Sequence, residues 1–408
     1  MSSYTLLGPF KQIVTMENLP LKGPIENSEL KIQENGGILI KNETIVEVGP
    51  YDEYVDAQIE NHTPLDGEYV ALPGFIDCHT HICFAGNRFL DFEDRNSGVS
   101  YLDISKRGGG IWSTVENTRK ATEEDLLLGM IGRLETLKQN GITTVEVKSG
   151  YGLSVKDEMK MLNVIKKANS RHQLDIIPTC LAAHIVPREF PNEKSYLDYL
   201  ISELVPNIKR DDLCTRFDIF IEESAFTRDN SKSYLNYLKQ NGFDITIHGD
   251  QFHTGGSLLA IECGAVSVDH LETSGNKEIS ALAKSDVVAV GLPGASIGIG
   301  CDFLPARKLL DEGVSLAIAS DWNPGSAPQG NLLAQASILA TYEKLSAAEV
   351  FAGITYRAAG ALKIKDRGRI ASKYAADIVA FQCHDYRQIL YHQGELKASY
   401  VWKNGEML

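Results

Sequence analysis

Between residues 72 and about 360 the chain alternates short apolar, β-branched runs with longer stretches in which Leu, Met and Ile recur at spacings of three and four. Short apolar runs bounded by turn residues are the signature of buried parallel strands. The three-and-four spacing gathers apolar side chains on one face of a helix. Eight such runs occur, at 72–78, 142–147, 175–184, 217–222, 244–249, 266–270, 287–292 and 315–321. Helical patterns between them include 123–139, ended by Asn140-Gly141 as a left-handed cap, and 156–168. Eight strands with intervening helices predict an α/β fold, a closed (β/α)8 TIM-like barrel rather than an open doubly wound sheet. Such a barrel carries its site at the C-terminal ends of the strands.

The flanks have a different pattern. Residues 38–49 read as a hairpin with its turn at Asn42-Glu43, and 377–381 and 399–405 supply further strands. Neither end can bury a sheet alone, so both are expected to pair into one small β-sandwich beside the barrel. The organisation expected is 1–70 and 361–408 for the sandwich and 71–360 for the barrel. The longest stretch without periodicity, 83–115, contains Gly108-Gly109-Gly110 but lacks the G-x-x-x-x-G-K-[ST] of a phosphate-binding loop. A mobile flap over the site is the expectation for a loop of that length.

Chemistry-bearing residues fall at the strand ends. His79 and His81 close the first run and share one strand face, while His184, His248, His270 and Asp321 end later runs. Taken singly, His248 could be a hydrogen-bonded core histidine and Asp321 a helix N-cap. Gathered at one end of one barrel, His79, His81, His248 and Asp321 are four ligands for zinc or iron, with water completing the shell. The fourth strand ends in Glu222-Glu223 and offers no lysine to bridge two metals, so one ion per chain is expected. A bound ion brings the pKa of its water toward about 7 and polarises a carbonyl, so that water attacks an amide or amidine carbon. His270 is placed to hold or deprotonate that water, and Asp321 to pass its proton to the leaving nitrogen.

The formal net charge of -14 argues against nucleic-acid and anionic-membrane partners, both of which need a basic surface. Seven cysteines, odd in number and without a C-x-x-C, point to a reducing cytoplasm. Residues 1–16 lack the features of a secretion signal, and no apolar run reaches the roughly 20 residues of a membrane span.

LPGFIDCHTH at 72–81, the two later strand-end histidines and Ser320-Asp321 resemble the amidohydrolase superfamily over nearly the whole chain. FAGNR at 84–88, GGGIW at 108–112, EVKSGYGL at 146–153, AAHIVP at 182–187, VDHLE at 268–272 and SDWNPGS at 320–326 are similar to the imidazolonepropionase family of histidine degradation. The resemblance implies hydrolytic opening of the ring amide of 4-imidazolone-5-propanoate to N-formimidoyl-L-glutamate, and a homodimer. By matching motif it implies that Arg88 binds the propanoate carboxylate and that Tyr151, His184 and Gln251 contact the ring. Asn323, Gly325 and Ser326 would help hold the substrate. His184 at the end of the third strand could also donate to the oxyanion, and an ion pair with Asp91 or Glu93 is the plain alternative for Arg88. Many members carry Glu where Gln251 stands; an amide can hydrogen-bond a ring nitrogen but cannot move a proton. The competing expectations are a nucleobase deaminase of the same fold, in which Arg88 would have little to bind, and a metal-free scaffold, in which the four ligand positions would have no use.

Overall fold

Five strands precede the barrel: β1 (Tyr4–Val14), β2 (Ile32–Lys41), β3 (Thr44–Pro50), β4 (Asn61–Pro64) and β5 (Tyr69–Pro73). The computed structural model describes residues 4–56, 59, 61–99, 103–104 and 107–408. Eight parallel strands follow, paired with their neighbours in chain order. They are β6 (Phe75–Asp77), β7 (Ile142–Lys148), β8 (Asp175–Ala183), β9 (Arg216–Ile221), β10 (Asp244–Gly249), β11 (Ser267–His270), β12 (Val288–Gly291) and β13 (Leu316–Ile318). The barrel closes just beyond β6 and β13, where Asp321 N donates to His79 O at 3.1 Å and His81 N to Trp322 O at 2.9 Å. Below this seam Asp77 accepts from Ser320 N at 2.9 Å and from Ser320 Oγ at 2.5 Å.

The chain ends meet as expected. β14 (Ile378–Gln382), β15 (Ala398–Lys403) and β16 (Glu406–Met407) join β1 to β5 in one mixed, eight-stranded sheet. The hairpin turn does fall at Asn42-Glu43, between β2 and β3. Phe10, Ile13, Ile38, Ile40, Ile378 and Trp402 build a core of this sheet's own. Among the described residues no helix is long and apolar enough to cross a membrane, and all seven cysteines are unpaired.

Two expectations change. The run 72–78 is two strands, not one: Leu72 pairs with Val379 in the outer sheet, while Phe75 opens the barrel beside Ile142. Every residue from Tyr69 to Pro73 and from Phe75 to Asp77 is buried, so the apolar pattern carries no mark where the partner changes. Gly74 makes the switch, with its N donating to Asp377 O at 2.9 Å. The second change concerns 83–115, which contains helices Phe89–Asn96 and Ile111–Lys120 and so is not one long loop. Phe89, Leu90 and Phe92 all face solvent and Asp91 is the residue this first helix buries, an inverted pattern that hides the helix from a search for apolar stripes. Residues 100–102 and 105–106 of the proposed flap lie outside the described residues.

A Cβ at Gly74 would lie 2.4 Å from Thr143 Cγ2 and Oγ1, against a strand packed on both faces. Gly74→Ala is therefore expected to destabilise by about 1–3 kcal/mol through overpacking. Denaturant unfolding measures this, and an unchanged midpoint would show that the crossover backbone can yield.

Candidate metal centre and active site

The strand ends bring nitrogens of His79, His81 and His248 within 4.8 Å of one another, with a carboxylate oxygen of Asp321 beside His79 and His81. His81 Nε2 lies 3.2 Å from His79 Nε2 and 3.3 Å from His248 Nε2. Asp321 Oδ1 lies 3.5 Å from His79 Nε2 and 3.3 Å from His81 Nε2. Hydrogen bonds do not account for this convergence. His79 Nδ1 pairs with Asp269 Oδ2 at 2.6 Å, so His79 Nε2 is a bare lone pair, and one proton on His81 could serve a single neighbour. Ligand atoms arranged tetrahedrally at about 2.0–2.1 Å from zinc stand roughly 3.3–3.4 Å apart, close to the separations of His81 Nε2 from His79 Nε2 and from His248 Nε2. All four side chains are buried. Nitrogen donors with a single carboxylate suit zinc or iron.

Electrostatics divides the histidines into two kinds. Burial pushes His79 well below the ordinary imidazole value, His81 down to about 3 and His248 to about 4, which leaves the lone pairs that a metal requires. Burial acts the same way on His270, but Glu272, with Nδ1 to Oε1 at 3.3 Å, outweighs it together with Asp321 and Asp269 and holds this ring above its ordinary value. His270 is thus the ring of the cluster that its carboxylate neighbours hold toward the protonated form. Its backbone is strained: His270 has φ 89° and Leu271 φ 73°, and Asp321 across the site has φ 51°. Such non-glycine conformations cost roughly 1–3 kcal/mol each and persist where the surrounding structure imposes them.

A cavity of about 110 Å³, open to solvent, leads down to this cluster. His81, His248, His270 and Asp321 form its floor, and Arg88, Tyr151, His184, Gln251, Asn323 and Ser326 line it above. Most of the residues named from the sequence thus line one cavity, and two are placed differently. His79 sits beneath the floor, and Gly325 acts by having no side chain, since a Cβ there would stand 2.2 Å from Arg88 Nη2. The ion pair suggested for Arg88 exists as well: Nε donates to Asp91 Oδ2 at 3.1 Å, and the same oxygen accepts from Gly110 N at 2.8 Å. Asp91 thereby fixes both the guanidinium and the glycine loop. Asn323 spends its amide within its own loop, accepting from Gly325 N and Ser326 N at 2.7 and 2.8 Å and donating to Asp321 O at 2.7 Å.

His184 lines the same cavity and is anchored by the backbone. Its Nδ1 lies 3.0 Å from Gly150 O and must donate there, and burial pushes the ring well below its ordinary value. With Nδ1 donating to Gly150 O, a neutral ring has Nε2 as its acceptor, and donation from Nε2 would need a second proton on the ring.

Several contributors escaped the sequence reading. Phe220 lines the cavity, and an apolar residue in an apolar run looks like core; Ile111, inside the GGGIW segment, lines it too, although the segment pointed to no role for it. Glu158 is fully buried and accepts from Gly150 N, Gly152 N and Leu153 N at 3.0, 2.8 and 2.7 Å, holding the loop that presents Tyr151. Arg95 Nη2 donates to Gly298 O at 3.3 Å and Gly325 O at 3.2 Å, stitching the rim together. Glu272 was visible in its motif but its pairing with His270 was not.

Barrel and cluster together define a metal-binding amidohydrolase, and residues 226–408 match the amidohydrolase family. The chain is 37% identical over 388 residues to the imidazolonepropionase of Bdellovibrio bacteriovorus, covering 94% of this chain and 90% of that one. It is 39% identical over 363 residues to that of Myxococcus xanthus, covering 88% and 84%, and 37% identical over 409 residues to that of Bacillus cytotoxicus, covering 98% and 96%. The chain belongs to the imidazolonepropionase family. Among solved structures it is similar to an adenosine deaminase from Xanthomonas campestris with bound zinc, at TM-score 0.71 and 17% identity over 99% of this chain and 92% of that one. It is also similar to atrazine chlorohydrolase from Arthrobacter aurescens complexed with zinc, at TM-score 0.72 and 17% identity over 99% and 95%. At such identities these likenesses speak for the fold alone.

If the cluster holds a metal, protein stripped with a chelator should regain stability on addition of zinc, by about 2.7 kcal/mol when free zinc is a hundredfold above its dissociation constant. Thermal unfolding against zinc concentration measures this. His248→Ala should abolish the response; a full response in that variant would place the metal elsewhere.

Proposed function

We propose that the chain hydrolyses the ring amide C–N bond of 4-imidazolone-5-propanoate to N-formimidoyl-L-glutamate, using His79, His81, His248 and Asp321 to hold one zinc or iron ion. The observation that carries this reading is a guanidinium and a buried histidine–carboxylate cluster lining the same cavity. That pairing suits a small ring bearing a carboxylate arm. When bound, the ion supplies a Lewis acid and an activated water.

The chain's own groups do the rest. The planar fork of Arg88, oriented by Asp91, takes the propanoate carboxylate. His184 Nε2 accepts from a ring N–H, and Tyr151 and Gln251 hydrogen-bond the ring's polar edge. His270, held protonatable by Glu272, orients the attacking water and shares its proton. Asp321 carries that proton to the leaving ring nitrogen, so that water's oxygen ends on the carbonyl carbon and its hydrogen on nitrogen. Asn323, Gly325 and Ser326 shape the wall against which the carboxylate arm lies. A homodimer in the cytoplasm belongs to the same reading, and the unpaired cysteines fit a reducing compartment.

The test is the ultraviolet absorbance decay of 4-imidazolone-5-propanoate generated in place from urocanate. Native protein should remove the compound and Asp321→Ala should not. Arg88→Ala should raise KM about 10- to 100-fold, equivalent to the roughly 1.5–3 kcal/mol of a charged hydrogen bond, with a smaller change in kcat. Metal-loaded native protein that left this compound intact but released ammonia from a nucleobase would assign the site to the deaminase reading.

Gln251→Glu, which installs the carboxylate found in many family members, should retain measurable turnover because the position binds the ring and moves no proton. Complete loss in the same assay would show that an uncharged amide is required there.

A further inference from the structure

The middle of the barrel is filled with charge where such barrels are usually packed with Val, Ile and Leu. At its centre is Lys148, 1% exposed, the last residue of β7. Its Nζ lies 2.7 Å from Glu146 Oε1 and 2.9 Å from Asp218 Oδ2. Asp218 and Glu146 are themselves buried at 1% and 0% exposure. Removing these carboxylates from water is costly and needs a cation among them.

The same carboxylates hold the histidine cluster from below. Asp218 Oδ2 lies 2.9 Å from His248 Nδ1. Glu146 Oε2 accepts from Thr80 N at 3.2 Å, and Thr80 Oγ1 donates to Glu146 O at 2.6 Å; Thr80 is the residue between His79 and His81. Lys148 N in turn donates to Thr80 O at 3.0 Å. Asp218 Oδ2, although buried and within ionic reach of two groups, has no hydrogen bond of good geometry, so its attraction to Lys148 is that of bare charges. Lys148 Nζ donates a hydrogen bond to Glu146 Oε1 and meets Asp218 by charge; carboxylate oxygens converging on one buried point charge are the donors a divalent cation selects.

We propose that Lys148 Nζ occupies the position of a second metal ion: the chain supplies its own cation there, and this keeps the centre mononuclear. The inference rests on reading the histidine cluster as a metal site but not on the identity of the substrate. It assigns Glu146 and Asp218 as ligands that become available once the ammonium is gone. Lys148→Ala removes the charge and leaves room for an ion with water, whereas Lys148→Met removes the charge but keeps the space filled.

The experiment loads full-length native protein, Lys148→Ala and Lys148→Met with zinc, adds excess Mn²⁺ as the probe, removes unbound metal by gel filtration and counts metals per chain by mass spectrometry. Native protein should keep one metal per chain whatever the Mn²⁺ excess, Lys148→Ala should carry two, one of them manganese, and Lys148→Met should stay at one. Mn²⁺ should also raise the Tm of zinc-loaded Lys148→Ala by several degrees and leave that of native protein unchanged. A folded Lys148→Ala with one metal and a Tm indifferent to Mn²⁺ overturns the proposal, as does native protein that binds two metals. Should Lys148→Ala fold poorly, recovery of soluble, two-metal protein when it is refolded with Mn²⁺ supports the proposal, and refolding that Mn²⁺ does not improve overturns it. Native protein with no metal at all would sink the metal reading and the inference with it, an outcome distinct from a one-metal Lys148→Ala.

Discussion

Two main-chain hydrogen bonds, from Asp321 N to His79 O and from His81 N to Trp322 O, close the barrel between its first and last strands at the height of the site. The residues that could hold a metal come from both sides of this seam and from β10 opposite, so they can meet only if the barrel closes. Closure in turn draws on the whole core, because each of the eight strands pairs with its neighbours in chain order. The left-handed backbone at Asp321 persists because the seam holds the residues on either side of it. The chemistry is thereby tied to the closure of the barrel, where regular strand pairing gives way to single bonds.

Beneath the seam the protein trades apolar packing for orientation. Asp269 pairs with His79 Nδ1 and Glu272 with His270 Nδ1, while Asp218 stands 2.9 Å from His248 Nδ1 by charge, so each of these rings has a carboxylate at its far nitrogen. Such partners fix the tautomer and the direction of a ligand. The carboxylates would repel one another and take up protons, and burial does push Asp77 and Asp269 up to about 7. Lys148 inside the barrel offsets part of this charge, and a divalent ion in the histidine cluster would offset more. A purely apolar interior would be at least as stable but would leave the rings unaimed.

Above the seam the substrate-facing wall is assembled from loops pinned to one another. Asp91 joins Arg88 to Gly110, Arg95 joins Gly298 to Gly325, and Glu158 collects three backbone N–H groups around Tyr151. Loops carry the recognition groups, and buried charged side chains give those loops the rigidity that strands would otherwise provide.

The barrel strands, the hairpin at Asn42-Glu43 and the convergence of His79, His81, His248, His270 and Asp321 were readable from residue order, because polarity and period are local properties that each run carries whatever it touches. The six motif segments narrowed the chemistry for the same reason. What required the folded molecule were properties of pairs. Leu72 and Phe75 lie in different sheets although the run is uniformly buried, and the helix Phe89–Asn96 turns its apolar residues outward and buries an aspartate. His184 turns its Nδ1 to the Gly150 carbonyl, and Lys148, in an ordinary strand sequence, is a buried cation between Glu146 of its own strand and Asp218, which the barrel brings from β9. Local pattern decides which residues form strands and helices; burial, tautomer and charge depend on what closure places opposite each side chain, and no stretch of chain contains its own opposite.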